Sequence, residues 1–166
     1  WLKAPRPTSR VRAARVPPQR GPMADEDAGD KAEERKCLYT SPLAQPLITD
    51  KLLDRALKLL KKAVAEKGAT RRGVPEVTKA IRKGQKGVCF LAGDIYPMDV
   101  FAHVPIVCEE KGIKYCYVSS RHVLGGACQT RRPISIIMVM EPKADATFSK
   151  TFEQVAAGVA AIHPYM

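Results

Sequence analysis

The sequence predicts an α/β domain with helices on both faces of a small sheet. Two observations carry this. Val88–Ala92 is a continuous apolar run, the pattern of a strand covered on both sides, and Lys114–Ser119 and Ile134–Met140 read as further strands. Between and around them lie segments whose apolar residues recur at three and four, as on helices with one buried side. Strand and helix patterns that alternate in this way indicate layers of helix on sheet. At 166 residues the chain is long enough for one domain with a real core plus a tail.

The tail comes first. Trp1–Pro22 is rich in proline and arginine and has no acids, and Met23-Ala-Asp-Glu-Asp reads as a natural start. The first 22 residues are therefore expected to be leader sequence, with a transit peptide as the alternative. Residues 1–40 as a whole are expected to be a disordered basic/acidic extension, because the stretch lacks the apolar content to fold alone. The single domain is expected over 41–166.

Ser41-Pro-Leu-Ala-Gln-Pro-Leu is an extended lead-in, since a residue before proline is pushed out of the helical region. Asp50 reads as the N-cap of a helix over 51–67. Leu52, Leu53, Ala56, Leu57, Leu60, Ala63 and Val64 form its buried stripe, and Gly68 stops it. Thr70–Arg72 is a brief extended segment. Gly73 opens a second helix that runs to about Lys83 and ends at Gly84. Pro75 is tolerated there because first-turn N–H groups have no partner inside the helix. Pro97 is expected to start a helix that Pro105 breaks, giving helices over 97–103 and 105–111. A short helix over 120–127, a loop over 128–133 and a final helix over 149–162 complete the chain.

Charge locates the function. Residues 1–22 carry a net +6, residues 23–50 a net −4, residues 51–90 a net +9, and residues 91–166 balance seven bases against seven acids. The domain's positive charge thus lies in one forty-residue window, the footprint of a face that binds a polyanion; a solvated basic helix surface is the bland alternative. Five cysteines with no C-x-x-C pair argue against a zinc site or disulfide framework and fit a reducing compartment. No apolar run approaches the length of a membrane span.

Within the window, Arg71-Arg72-Gly73 meets the start of the second helix. Arg82, Lys86 and, upstream, Lys67 add to its charge. Glu76, Lys79 and Lys83 share one face of that helix at i, i+3 and i+7. Cations beside outward-pointing N–H groups are suited to phosphate. A single carboxylate among them is suited to base N–H donors, which carboxylates read by accepting hydrogen bonds; the competing reading is a solvated Glu–Lys pair on a helix surface. Two further pieces are Gly93-Asp94-Ile95-Tyr96-Pro97, after the first strand, and the 128–134 loop with Arg131 and Arg132, before the third. All three sit at strand ends, where open α/β sheets bind ligands. Tyr96 is a candidate for stacking on a base. Ile95 and Val100 read as core on composition alone. No phosphate-loop, dinucleotide or nucleophile-elbow motif is present, so no catalytic residues, metal site or cofactor are assigned.

Taken together, R-R-G-V-P-E-V-T-K-A-I-R-K-G, V-C-F-L-A-G-D-I-Y-P, H-V-P-I-V-C-E-E-K-G-I-K-Y-C-Y-V-S-S and L-G-G-A-C-Q-T-R-R-P resemble the kink-turn RNA-binding proteins shared by ribosomes and small nucleolar ribonucleoproteins. The resemblance covers about residues 42–140. It implies a three-layer α/β/α sandwich with a small mixed central sheet. L-A-G-D, R-R-G-V-x-E-V and R-R-P are most similar to the branch found in the H/ACA particle. That branch implies a non-catalytic RNA-binding core subunit of a nuclear, nucleolar complex that guides rRNA pseudouridylation. Its implied partners are the guide RNA, a separate pseudouridine synthase subunit and small core proteins. A spliceosomal or ribosomal kink-turn protein, and a mainly protein-binding scaffold, are the alternatives.

By the same resemblance, Gly73 lets the helix start approach the RNA backbone. Glu76 accepts from a guanine of tandem sheared G·A pairs, Lys79 meets the guanine edge or a phosphate, and Lys83 holds phosphate. Val100 and the loop Arg131, Arg132 to Ile134 surround the bulged nucleotide. Two positions depart from the family pattern. Pro75 stands where kink-turn readers usually carry Asn, and Tyr96 replaces an acidic residue. Loss of one base-reading contact removes about 1–3 kcal/mol of discrimination, while the phosphate term stays with the cations. The expected binder is salt-sensitive and weakly sequence-selective.

Overall fold

The computed structural model describes residues 39–66, 68–142 and 146–163, all within one unit, Ala32–Met166. The expectations for the N-terminal extension up to residue 38, and for Lys67, lie outside the described residues. The elements are α1 (Asp50–Ala65), β1 (Thr70–Arg72), α2 (Val74–Arg82), β2 (Gly87–Ala92), a 3₁₀ turn (Met98–Val100), α3 (His103–Glu110), β3 (Lys114–Val118), α4 (Arg121–Ala127), β4 (Ile136–Met140) and α5 (Ser149–Ile162).

The strands form one mixed sheet in the order β1-β4-β2-β3. Strands β2 and β3 are parallel, with Phe90 opposite Cys116. Strand β4 is antiparallel to both β2 and β1. Side chains alternate across a strand, so the burial of Val88, Cys89, Phe90, Leu91 and Ala92 in succession means both faces of β2 are covered. Helix α1 packs on α4 and α5, whereas α2 packs on α3. These two groups are the outer layers of the α/β/α sandwich that the sequence implies. Among the described residues no helix is long and apolar enough to cross a membrane.

The extended segment Thr70–Arg72 is an edge strand paired with Val139, Met138 and Ile137; three residues are too few to show a period, and pairing with β4 makes the strand. Three expectations need correction. Pro105 does not break a helix. It lies in the first turn of α3, where its missing N–H is not needed, and Pro97 precedes only the 3₁₀ turn. The N-cap of α1 is Thr49, with Asp50 as the first helical residue, where its charge suits the positive end of the helix. The third predicted strand starts at Ile136, because the Ile134 N–H donates to the Arg121 carbonyl (3.2 Å) and is held by α4.

Cys89, Cys108, Cys116 and Cys128 are free and buried. A hydrogen bond with Cys108, and then burial, push the Cys89 thiol up; burial alone pushes Cys116 to about 12. Burial, and then the neighbouring Cys108 and Glu109, push Tyr117 to about 12. Burial, and then its 2.6 Å hydrogen bond to Glu109, raise Tyr115 as well. Unfolded thiols titrate near ~8.5 and phenols near ~10. The native state therefore keeps protons that the unfolded state releases, so stability is intact below about pH 8.5 and falls as pH climbs toward 12. For Cys116 the expected loss is about 1.4 kcal/mol per pH unit within that window. Denaturant midpoints that stay flat from about pH 8 to about pH 11 would contradict this.

Candidate nucleic-acid interface

Because β1, β2 and β3 run in one direction and β4 runs against them, one end of the sheet collects every candidate segment. Backbone bonds hold the junctions together. The Gly73 N–H donates to the Ile136 carbonyl (2.9 Å), Ala92 to Ser135 (2.9 Å) and Gly93 to Val118 (2.8 Å). The start of α2, the 93–97 segment and the 128–135 loop thus share one rim.

Gly73 sets the angle at which α2 leaves β1. As N-cap it has φ 88° and ψ 153°, a region essentially reserved for glycine. Space is not the constraint, since an added Cβ would meet only the Pro75 ring, at 4.0 Å. The Gly73 carbonyl starts the helix by accepting from Val77 (3.0 Å), and no side chain caps the first turn. Val77 and Ile81 anchor the other face in the core, and Ala80 is buried between that face and the cleft. Gly73→Ala is expected to lower stability by about 1–3 kcal/mol, read from denaturant unfolding. A change under about 0.5 kcal/mol would mean that the backbone relaxes at no cost there.

Beside this junction lies an open cleft of about 300 Å³ lined by Arg71, Glu76, Lys79, Ala80, Lys83 and Gln85. Glu76, Lys79 and Lys83 are exposed and Arg71 is half-buried. Among the described residues the one ion pair is Arg121–Asp94 (3.9 Å), at the start of α4. Glu76 is thus exposed beside three cations and is in no ion pair among the described residues. Gln85 was not among the sequence candidates. The turn after α2 folds it back, with its N–H on the Ala80 carbonyl (3.1 Å), and Gly84-Gln85 marks only a helix stop in the sequence.

The arginine pair divides. Neighbours on a strand point to opposite faces: Arg71 lines the cleft, while Arg72 lies near Cys128, where its charge opposes the upward push of burial on that thiol. On the rest of the rim, Tyr96 is 83% exposed and Val100 53% exposed. Ile95 is core, as composition suggests, and Val100 is not. The Asp94 carboxylate accepts from the Arg121 N–H (2.9 Å) and the Ser120 hydroxyl (3.4 Å), tying the end of β2 to α4.

Arg131 and Arg132 are exposed. Their loop lies close over α4, because an added Cβ on Gly125 would stand 2.6 Å from the Arg132 carbonyl oxygen. Thr130 Oγ1 donates to that same oxygen (3.1 Å). Ile134 is buried at 9% exposure, so it braces the loop from inside and offers little surface of its own.

A family model described as Ribosomal protein L7Ae/L30e/S12e/Gadd45 family matches residues 54–148. The chain belongs to this family. Its similarity to the putative H/ACA ribonucleoprotein complex subunit 2-like protein of Caenorhabditis briggsae is 45% identity over 72% of each chain. To H/ACA ribonucleoprotein complex subunit 2 of Bos taurus it is 38% over 88% of this chain and 94% of the relative. To the subunit 2-like protein of Arabidopsis thaliana it is 44% over 69% and 73%. Among solved structures, the Giardia lamblia 15.5kD RNA binding protein superposes with a TM-score of 0.68 at 28% identity, covering 74% of this chain and 99% of that one. The L7Ae/L30e/S12e/Gadd45 match spans all four strands, and with them the cleft and the rim.

Proposed function

We propose that this chain is an RNA-binding subunit of an H/ACA ribonucleoprotein, with RNA held at the start of α2. The observation that carries the reading is the exposed Glu76 inside the Arg71–Lys79–Lys83 cleft. Arg71, Lys79 and Lys83 neutralise phosphates, the sequence-independent part of affinity. Glu76 accepts from a guanine N–H edge, the base-reading part. Pro75 has no N–H and a purely apolar side chain, so the first turn offers one donor fewer. On the rim, Tyr96 stacks on an unpaired base, Val100 packs against it, and Arg72, Arg131 and Arg132 meet the backbone. Gly73 allows close approach.

The names of the relatives support placement in the H/ACA particle. There the chain acts as a non-catalytic core component: it holds guide RNA in the nucleolus, while a separate synthase and small core proteins complete the complex. Sequencing RNA crosslinked to the chain tests this directly. Enrichment of H/ACA guide RNAs is expected; enrichment of ribosomal or spliceosomal RNA would assign the chain to another branch of the family. Glu76→Ala is expected to reduce preference for a kinked stem-loop over a plain duplex by about 1–3 kcal/mol. Equal preference in wild type and variant would remove base reading from the account.

A further inference from the structure

A second cationic surface lies on the layer opposite α2. In α1, Lys51, Arg55, Lys58 and Lys62 stand at i, i+4, i+7 and i+11 and all four are exposed. At about 100° per residue they fall within roughly 60° of one another, a straight row about 16 Å long. The reverse face buries Leu52, Ala56, Leu59, Leu60 and Ala63, so core packing holds the row rigid and outward. Neighbours along it are like charges at three- and four-residue steps, which destabilise a helix. Asp54 lies at its border, yet no α1 residue is in the one ion pair among the described residues. A solvated helix usually mixes signs along its surface. A row that keeps one sign against local preference marks a place where another molecule supplies the compensation.

We propose that the outer face of α1 is a second RNA contact, holding the phosphate backbone of a stem distinct from the segment at α2. The proposal rests on the RNA-binding reading above. The sheet separates the two surfaces: α1 packs with α4 and α5, and α2 with α3. They face apart, so one short stem cannot cover both, and the chain clamps two parts of a folded RNA. Four cations in a rigid row meet phosphates whatever the bases are, so this face adds affinity without adding sequence choice. That suits a reader which Pro75 has left short of one base contact.

The test uses the full chain with Lys51, Arg55, Lys58 and Lys62 changed together to Gln, against a single short stem-loop and a two-stem RNA. The short RNA is expected to bind within about twofold of wild type. The two-stem RNA is expected to lose about tenfold or more at physiological salt, and its salt slope to flatten by about three to four units. Wild-type binding of both RNAs by this variant would overturn the proposal, even where cleft variants are impaired. Loss of both RNAs here, with none lost in cleft variants, would overturn this proposal and the α2 reading together. Unchanged RNA binding with loss of a nuclease-resistant acidic protein partner would assign the row to protein, and also overturn it.

Discussion

Neutralising Arg71, Lys79 and Lys83 together to Gln is expected to lower affinity for a stem-loop RNA by about 10²-fold at physiological salt. It is also expected to flatten the salt dependence by about three units. The magnitude follows from counterion release. Each neutralised phosphate contributes a slope of about 0.9, so three lost contacts near 0.15 M salt amount to roughly two orders of magnitude. Gln keeps good helix propensity, and Val77, Ala80 and Ile81 still hold α2 in the core, so circular dichroism and thermal melting should match wild type. The Glu76 carboxylate remains, so the surviving binding should retain some preference for a kinked loop. Undiminished affinity at about 0.15 M salt would show that the cleft does not hold RNA.

Phe90→Ala is expected to cost about 3–5 kcal/mol of stability. Phe90 is fully buried at the centre of the sheet, opposite Cys116 on β3 and Ile137 on β4. With strands on both sides and helices on both faces, the walls cannot close on the void left by the ring. Domains of this kind have about 5–15 kcal/mol in total, so the variant should unfold at a much lower denaturant midpoint with an unchanged slope. A loss below about 1 kcal/mol would mean that the core repacks far more freely than close-packed interiors do.

Local chemistry was legible wherever it acts over a few residues. The stripe of α1, the Gly73 start and Gly84 stop of α2, the apolar run of β2 and the span of α5 all follow from periods and turn residues. The shared face of Glu76, Lys79 and Lys83 was legible too, because i, i+3 and i+7 share a helix face in any helix. Thr70–Arg72 was legible only as extended, and Pro105 was misread. Both outcomes depend on what the segment packs against, and that information is not local. Val100 is exposed, against what composition suggests, and Ile134 is buried at the base of its loop, which its place in the sequence does not reveal.

By itself the sequence determined that this is an α/β chain whose domain charge is gathered in one window, with a glycine, a lone carboxylate and spaced lysines at a helix start. Those are properties of near neighbours along the backbone. Only the tertiary structure decided that β1 joins the sheet and sends Arg71 and Arg72 to different faces. It also turned the basic residues of α1 away from those of α2. The reason is that strand pairing and layer packing bring together residues far apart in the chain, and they set which face of each element meets solvent.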